Sequence, residues 1–132
     1  MPAIPIGAKG EEKVLVTTEN AISFLGEQGP RVLSTPRMIG YMEMTCRNLV
    51  LPLLDPGHDT VGTQVNISHL AAAPIGMAVT FTAEVIAVRD RRIEFRVEAY
   101  DEKEKIGEGT HERFVIDVAR FRERVRAKSS AP

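Results

Sequence analysis

The spacing of hydrophobic residues changes once along the chain, near residue 57. From residue 36 to residue 54, apolar side chains recur at helical spacing in the stretch PRMIGYMEMTCRNLVLPLL. Thr35 is a good helix-capping residue, Pro36 suits the first helical position, and the Asp-Pro-Gly sequence at 55–57 is a turn signal. The pattern therefore predicts one long, largely apolar helix that ends before this turn.

After residue 57 the hydrophobic pattern alternates residue by residue, which is typical of half-buried strands. Strands are predicted over 61–71, 77–85, 93–99 and 106–118, with a hairpin turn at 89–92. Ahead of the helix, residues 13–17 are predicted to form a first strand and residues 20–26 a short helical turn. The first ten residues, with two prolines and two glycines, are predicted to be irregular, and a short amphipathic helix is predicted to close the chain.

This order of elements predicts an α+β fold in which one helix packs against an antiparallel sheet. A helix that is apolar around most of its circumference suits a curved sheet that wraps it, which is the hotdog architecture. The length of 132 residues and the 43% apolar content fit a single domain, residues 1–132, with one core. Sheets of this kind usually need a second subunit to complete the sandwich, so we expect a homodimer.

Charge and composition exclude several classes of function. The chain has 17 basic and 18 acidic residues, so no strong attraction to nucleic acid or to a membrane surface is expected. Cys46 is the only cysteine and cannot form an internal disulfide, which fits the reducing cytoplasm. No apolar run approaches the length of a membrane span. Without a metal-ligand cluster, phosphate loop or dinucleotide fingerprint, neither a metal nor a cofactor is expected.

Glu43 is the most informative residue because it is a carboxylate within the apolar helical stripe. It lies about 40° around the helix axis from Ile39. An unpaired buried charge costs several kcal/mol, so this carboxylate must find a partner, stay protonated or face a cleft. It is therefore a candidate for chemistry. The simpler interpretation is a structural salt bridge, for example with Arg47 one turn further along.

Thr35 and His69 are the other candidates for catalysis. His69 follows two apolar residues in alternation, so its ring should point toward the helix, where an imidazole and the Glu43 carboxylate can meet. Taken alone, Thr35 is most simply a helix cap and His69 a satisfied core residue. About 12 Å of helical rise separates Thr35 from Glu43. Either the helix entrance bends back, or a substrate bridges these groups, or two subunits contribute to the site.

Gly62 and Arg113 are candidates for binding. Gly62 has no side chain to block close approach, so its backbone N–H could stabilise an oxyanion, although an ordinary glycine at a strand start fits equally well. Arg113 is expected at a rim or a dimer interface, where it could meet a phosphate or a pantetheine carbonyl. A plain solvent-exposed salt bridge is the alternative for Arg113.

Four segments in a shared order and spacing resemble the fluoroacetyl-CoA thioesterase family of hotdog proteins, from about Thr35 to the C-terminus. They are TPRMIGYMEMTC at 35–46, VGT at 61–63, SHLAA at 68–72 and GTHER at 109–113. The resemblance implies hydrolysis of a short acyl-CoA to free acid and CoA by Thr35, Glu43 and His69, with Gly62 and Arg113 around the bound substrate. Coenzyme A is then part of the substrate and no separate cofactor is needed.

The resemblance has one departure and leaves two rival functions. Family members selective for the fluorinated acyl group carry a longer segment before the threonine, with two phenylalanines that cover the pocket. Here residues 21–34 are fewer and contain only Phe24. A hydratase of this architecture would need an aspartate and a histidine five residues apart near the helix start, and no such pair is present. A non-catalytic acyl-CoA-binding module on the same fold is the main alternative.

Overall fold

The computed structural model describes residues 3–130 and shows a five-stranded antiparallel sheet curved around one long helix. The strand order in the sheet is β1-β3-β4-β5-β2. The predicted α+β hotdog fold is therefore confirmed. In chain order the elements are β1 (Lys9–Leu15), α1 (Thr35–Val50) with a 3-10 turn (Leu51–Leu53), β2 (His58–His69), β3 (Ala78–Arg89), β4 (Arg92–Tyr100), β5 (Lys105–Asp117) and α2 (Val118–Ser130).

The core lies between α1 and the concave face of the sheet. On α1 the buried residues Met38, Met42, Cys46 and Val50 are spaced by four, so they form one stripe along the helix. Alternate residues of the central strands β3 and β4 meet this stripe, because side chains in a strand point to opposite faces in turn. The fully buried side chains of these strands include Val79, Phe81, Val85, Ile93, Phe95 and Val97.

The start of α1 differs by one residue from the prediction. Ser34 is the capping residue, and its Oγ accepts a hydrogen bond from the backbone N–H of Arg37 at 3.3 Å. Thr35 is instead the first helical residue, so the prediction that it caps the helix was wrong. As a consequence, the Thr35 hydroxyl is available for a contact outside the helix.

The segment before α1 also differs from the prediction. Residues 20–26 form no helix, because Asn20 is bound to the backbone that precedes it: its side chain accepts from the Thr17 N–H and donates to the Leu15 carbonyl. The N–H of Ile22 donates to the Val32 carbonyl, which ties this stretch to the segment before α1. The first strand begins at Lys9, inside the stretch predicted to be irregular, because it pairs along β3.

The two edge strands of the sheet differ in their chemistry. β1, at one edge, carries four charged residues in the sequence KGEEKVL. β2, at the other edge, has no charged residue from Thr60 to Ser68, and the Val65 side chain is 45% exposed. Natural proteins usually protect exposed edge strands with charges, so the β2 edge is unusual for a strand that stays in water.

Candidate active site

Thr35 and His69 form the first of two polar clusters on the helix side of the sheet. The Oγ1 atom of Thr35 and the Nδ1 atom of His69 are hydrogen-bonded at 2.7 Å. The contact joins the first residue of α1 to the last residue of β2, so the predicted direction of the His69 ring is confirmed. Within residues 3–130, the buried Nε2 atom of His69 has no hydrogen-bond partner. This nitrogen is therefore uncommitted among the described residues.

Glu43 belongs to a second cluster, with Arg113 and His111. Its Oε2 accepts a hydrogen bond from Nη1 of Arg113 at 3.4 Å and lies 3.9 Å from Nε2 of His111. The expected salt bridge to Arg47 is wrong, because Arg47 pairs with Asp59 at 2.7 Å. The Glu43 side chain is 36% exposed, and its Oε1 accepts no hydrogen bond from any residue that the structure describes. One carboxylate oxygen is anchored and the other is free.

Arg113 is buried beneath the helix, so the predicted placements at a rim and in a solvent-exposed salt bridge were wrong, while a place at a dimer interface stays a prediction. It lies opposite Gly62 in the β2–β5 register, on the inner face of the sheet. Its Nε donates to Oγ1 of Thr60 at 2.7 Å and its Nη2 to the Thr60 carbonyl at 2.8 Å. Burial lowers the pKa of Arg113, while the nearby Glu43 carboxylate acts to raise it. The guanidinium stays charged, because arginine is not deprotonated in proteins.

His111 was not proposed as a site residue, although it shares the strand face of Arg113. Its Nδ1 lies 2.8 Å from the backbone carbonyl of Gln64, and its Nε2 lies 3.1 Å from Nη1 of Arg113. Burial lowers the pKa of this histidine, so the folded protein favours the neutral ring. Two signals in the sequence could have found it: the alternation of β5 and its place in the GTHER segment at 109–113.

Gly62 is placed at the point of closest approach between β2 and the second cluster. A Cβ atom at this position would lie 2.7 Å from Oε2 of Glu43 and 3.1 Å from Cε1 of His111. Both distances are shorter than normal carbon contacts, so a side chain here would displace the carboxylate or the imidazole. The glycine is therefore required by packing against the site. A role for its N–H in binding an oxyanion stays a prediction.

The described part of the chain gives little support to a cysteine nucleophile, a metal site or a membrane-spanning helix. Cys46 is buried, and desolvation raises the pKa of its thiol to about 12, so it is not a thiolate nucleophile at neutral pH. Residues 3–130 bring no three His, Cys, Asp or Glu side chains together in a group suited to a metal ion. None of the helices in this range combines the length and the apolar content needed to cross a membrane.

The two clusters do not touch each other within one protomer. His69 bonds to Thr35 and Glu43 to Arg113, and no hydrogen bond or ion pair joins His69 to Glu43. The expectation that these two groups meet directly is therefore not met inside a single chain. α1 separates the backbones of Thr35 and Glu43 by about 12 Å.

The fold and these two clusters define a hotdog protein with a polar site beside its helix. Similar proteins of this class are thioesterases. Residues 16–119 match the sequence family described as fluoroacetyl-CoA-specific thioesterase, FlK. The chain belongs to this family and is therefore a thioesterase, a hydrolase of thioester bonds.

Similar proteins cover most of the chain. The fluoroacetyl-CoA thioesterase of Streptantibioticus cattleyicolor is 44% identical over 102 residues, which are 77% of this chain and 73% of that protein. A solved structure of the fluoroacetyl-CoA thioesterase FlK superposes with a TM-score of 0.88 at 34% identity, covering 98% of this chain and 99% of that chain. A variant of FlK in complex with fluoroacetate and CoA matches with a TM-score of 0.82 at 35% identity, covering 89% and 99% of the two chains.

Proposed function

We propose that this protein hydrolyses short acyl-CoA thioesters to a free acid and CoA, with Thr35, Glu43 and His69 as its catalytic residues. The main support is the Glu43 carboxylate, which is anchored through Oε2 by a buried arginine while Oε1 remains free. A fixed carboxylate with one free oxygen suits attack on a carbonyl or activation of water. The solved complex of an FlK variant with fluoroacetate and CoA supports the same class of substrate.

The proposed chemistry uses each polar group once. Oε1 of Glu43 either attacks the carbonyl carbon to give a mixed anhydride or takes a proton from the attacking water. In both routes the C–S bond breaks and His69 protonates the departing CoA sulfur. One water is consumed: its hydroxide joins the acyl carbon, and its released proton returns to His69, which then acts as a base, either directly or through Glu43. Thr35 holds the His69 ring through Nδ1 at 2.7 Å, and the Gly62 N–H stabilises the oxyanion that forms at the carbonyl. Gly62 and Arg113 are proposed to lie around the bound acyl-CoA.

The acyl group is proposed to be short and not restricted to the fluorinated acid. Phe24 is 80% exposed, so it covers no pocket in the protomer. The segment 21–34 therefore provides no aromatic lid that would select fluorine. We expect acetyl-CoA and fluoroacetyl-CoA to be hydrolysed with similar kcat/KM, and a side-by-side measurement tests this. A strong preference for fluoroacetyl-CoA would contradict this part of the proposal.

We further propose a homodimer in which two β2 strands pair along their free edges. This edge has no charge from Thr60 to Ser68 and leaves Val65 exposed, whereas β1 at the opposite edge carries four charges. An unprotected, uncharged edge strand is a template for pairing with another chain. A second copy of the same strand fits, because a twofold axis brings the same surface to both sides of an interface.

Such pairing would complete the active site from two protomers. Antiparallel pairing of two β2 strands centred near Val65 and Asn66 brings Gly62 of one chain opposite His69 of the other. Glu43 lies beside Gly62, and Thr35 lies beside His69. Each site would then combine Glu43, Gly62 and Arg113 of one protomer with Thr35 and His69 of its partner. This arrangement removes the 12 Å separation along α1, estimated from the helical rise.

The activity is tested by replacing Glu43 with glutamine and following thiol release from acetyl-CoA. Glutamine keeps the shape and an oxygen acceptor for Arg113 but loses the charge, so Glu43→Gln should lower kcat by about a hundredfold or more. Hydrolysis by this variant near the wild-type rate would contradict the role of Glu43. Wild-type protein that binds acyl-CoA and releases no thiol would instead support the alternative, a non-catalytic acyl-CoA-binding module.

Two further expectations belong to this proposal. Hydrolysis should need no metal and no cofactor other than the CoA of the substrate, so dialysis against a chelator should leave kcat unchanged; a loss restored by a metal would contradict this. The cytoplasm is the proposed location, because the free Cys46 is compatible with a reducing compartment. Fractionation of cells that contain the protein would test the location.

A further inference from the structure

We propose that His111 is a positioning residue, which fixes the Arg113 guanidinium against Glu43 and so keeps the Glu43 carboxylate in its reactive orientation. The inference rests on the proposed role of Glu43 and adds a residue that neither the family resemblance nor the sequence pattern had assigned. His111 acts through Arg113 and does not itself reach the substrate. The argument depends on which nitrogen of its ring carries the proton.

The hydrogen bonds of His111 define a neutral ring with the proton on Nδ1. The Gln64 backbone oxygen, 2.8 Å from Nδ1, can only accept a hydrogen bond, so Nδ1 must donate. The Nη1 group of Arg113, 3.1 Å from Nε2, can only donate, so Nε2 must accept. A protonated ring would direct an N–H at the guanidinium and place two positive charges side by side.

The ring is held in this orientation by its surroundings. The His111 side chain is 1% exposed, and it stacks on Phe95 of β4 with a centroid distance of 6.3 Å and an angle of 26° between the planes. Gln64, which receives the Nδ1 hydrogen bond, follows the irregularity between Gly62 and Gln64 in the β2–β5 register. A ring flip would lose both hydrogen bonds and bury their partners unsatisfied, at a cost of about 1–3 kcal/mol for each group.

His111 provides the third fixed contact of the Arg113 guanidinium. Thr60 holds Nε and Nη2 on one side, at 2.7 Å and 2.8 Å. Nη1 has two hydrogens, and its two acceptors are Nε2 of His111 and Oε2 of Glu43. With His111 in place, one of these hydrogens is directed at the carboxylate. Without it, the planar guanidinium is held only through Nε and Nη2, so the whole group can tilt about its Thr60 contacts and lengthen the 3.4 Å contact that orients Glu43.

The test compares His111→Leu, which removes the acceptor, with His111→Gln, whose side-chain oxygen can still accept from Arg113. We expect His111→Leu to lower kcat for acetyl-CoA by about ten- to a hundredfold with little change in KM, because small misplacements of catalytic groups have effects of this size. His111→Gln should recover most of this loss. His58→Leu, at the partly buried histidine that begins β2, serves as the control and should keep the wild-type kcat.

A merely structural role would give a different result. It would lower the thermal stability of both His111 variants and leave kcat per folded enzyme unchanged, which would overturn the proposal. Equal losses of kcat in both variants would overturn it as well. If His111→Leu does not fold, the pH dependence of kcat decides. The kcat of the wild type should fall at low pH as His111 becomes protonated, and the kcat of His111→Gln should lack this part of the decrease. The same decrease at low pH in both proteins would overturn the proposal.

The pH comparison must take account of the charges around the ring. Arg113 and Glu112 on β5 and Glu43 on α1 act on His111, while β4 contributes the Phe95 ring that stacks on it and Glu94, which lines the same hollow as His111. A double-variant cycle separates the two proposals. In the Glu43→Gln background, His111→Leu should cause no further loss of kcat. If Glu43→Gln is inactive while His111→Leu keeps the wild-type rate, only the positioning role fails; a fully active Glu43→Gln refutes the catalytic role of Glu43.

Discussion

Glu43 has two oxygens with different surroundings, and this difference makes the residue suitable for chemistry. Oε2 balances the charge of the Arg113 guanidinium, whose side chain is only 7% exposed. Oε1 has no hydrogen-bond partner in the described chain. Removing the carboxylate altogether would leave Arg113 buried and unpaired, which is strongly destabilising. Glutamine is therefore a better probe than alanine, because its amide oxygen can still accept from Arg113.

At the same scale, Gly62→Ala is predicted to lower activity without preventing folding. The added Cβ would meet Oε2 of Glu43 at 2.7 Å, so the carboxylate must move. We expect kcat for acetyl-CoA to fall by about tenfold or more, since the reacting oxygen moves with the group. Gly10→Ala is the control, because its Cβ would meet only the Leu49 side chain, at 3.2 Å and away from the site. Equal kcat in both variants would contradict the steric role of Gly62.

Among the elements, α1 and β2 are tied together by one ion pair beside the site. Arg47 on α1 donates to both oxygens of Asp59 on β2, at 3.0 Å and 2.7 Å. Paired, parallel hydrogen bonds of this kind fix orientation as well as distance. The pair therefore sets the position of the helix over the strand that carries Gly62. Glu43 keeps its place relative to β2 through the same two elements.

The Arg47–Asp59 pair gives a stability prediction with a defined pH dependence. The Arg47 hydrogen bond lowers the pKa of Asp59 below its ordinary 3.8. Because the folded pKa is depressed, the stabilisation is present above 3.8 and is lost as the pH falls through the folded pKa. Asp59→Asn should therefore lower the free energy of unfolding by about 1 kcal/mol at pH 7. The difference from wild type should shrink below pH 3.8.

Urea unfolding of the two proteins at several pH values measures this effect. Glu84→Gln serves as the control, because the Arg96–Glu84 pair is longer, at 3.5 Å, and more exposed. That replacement should change the free energy of unfolding by less than about 0.5 kcal/mol. A constant difference between wild type and Asp59→Asn across the whole pH range would contradict the ion-pair explanation.

The elements could be predicted from the sequence to the extent that their signals are local. The helical spacing of the apolar residues in α1 and the alternation of β4 lie within single segments, and both elements were predicted correctly. The burial of Arg113 depends on its register opposite Gly62, which pairs residues far apart in the chain. No local pattern encodes this register, so Arg113 was placed at the surface. Which of Ser34 and Thr35 caps α1 also depends on a distant residue, because the Thr35 hydroxyl is hydrogen-bonded to His69.

At the scale of the whole molecule, the proposed dimer depends on the β2 edge. Val65→Lys places a charge in the uncharged edge and should convert the dimer to a monomer in light scattering, because an edge charge opposes strand pairing. Leu15→Lys is the matched control: Leu15 lies on the other edge strand and is 55% exposed, against 45% for Val65. It should leave the dimer intact. A wild-type monomer, or a Val65→Lys dimer of wild-type strength, would contradict the proposed interface.

The claim that each site is built from two protomers is tested most directly by mixing two inactive variants. Glu43→Gln and His69→Asn are unfolded together, refolded at equal amounts and assayed for thiol release from acetyl-CoA. In a shared site, each mixed dimer keeps one site with both Glu43 and His69 intact. Since half of the dimers are mixed, the activity should recover to about a quarter of wild type. If the mixture stays inactive although mixed dimers have formed, each site lies within one chain and the account of a shared site is wrong.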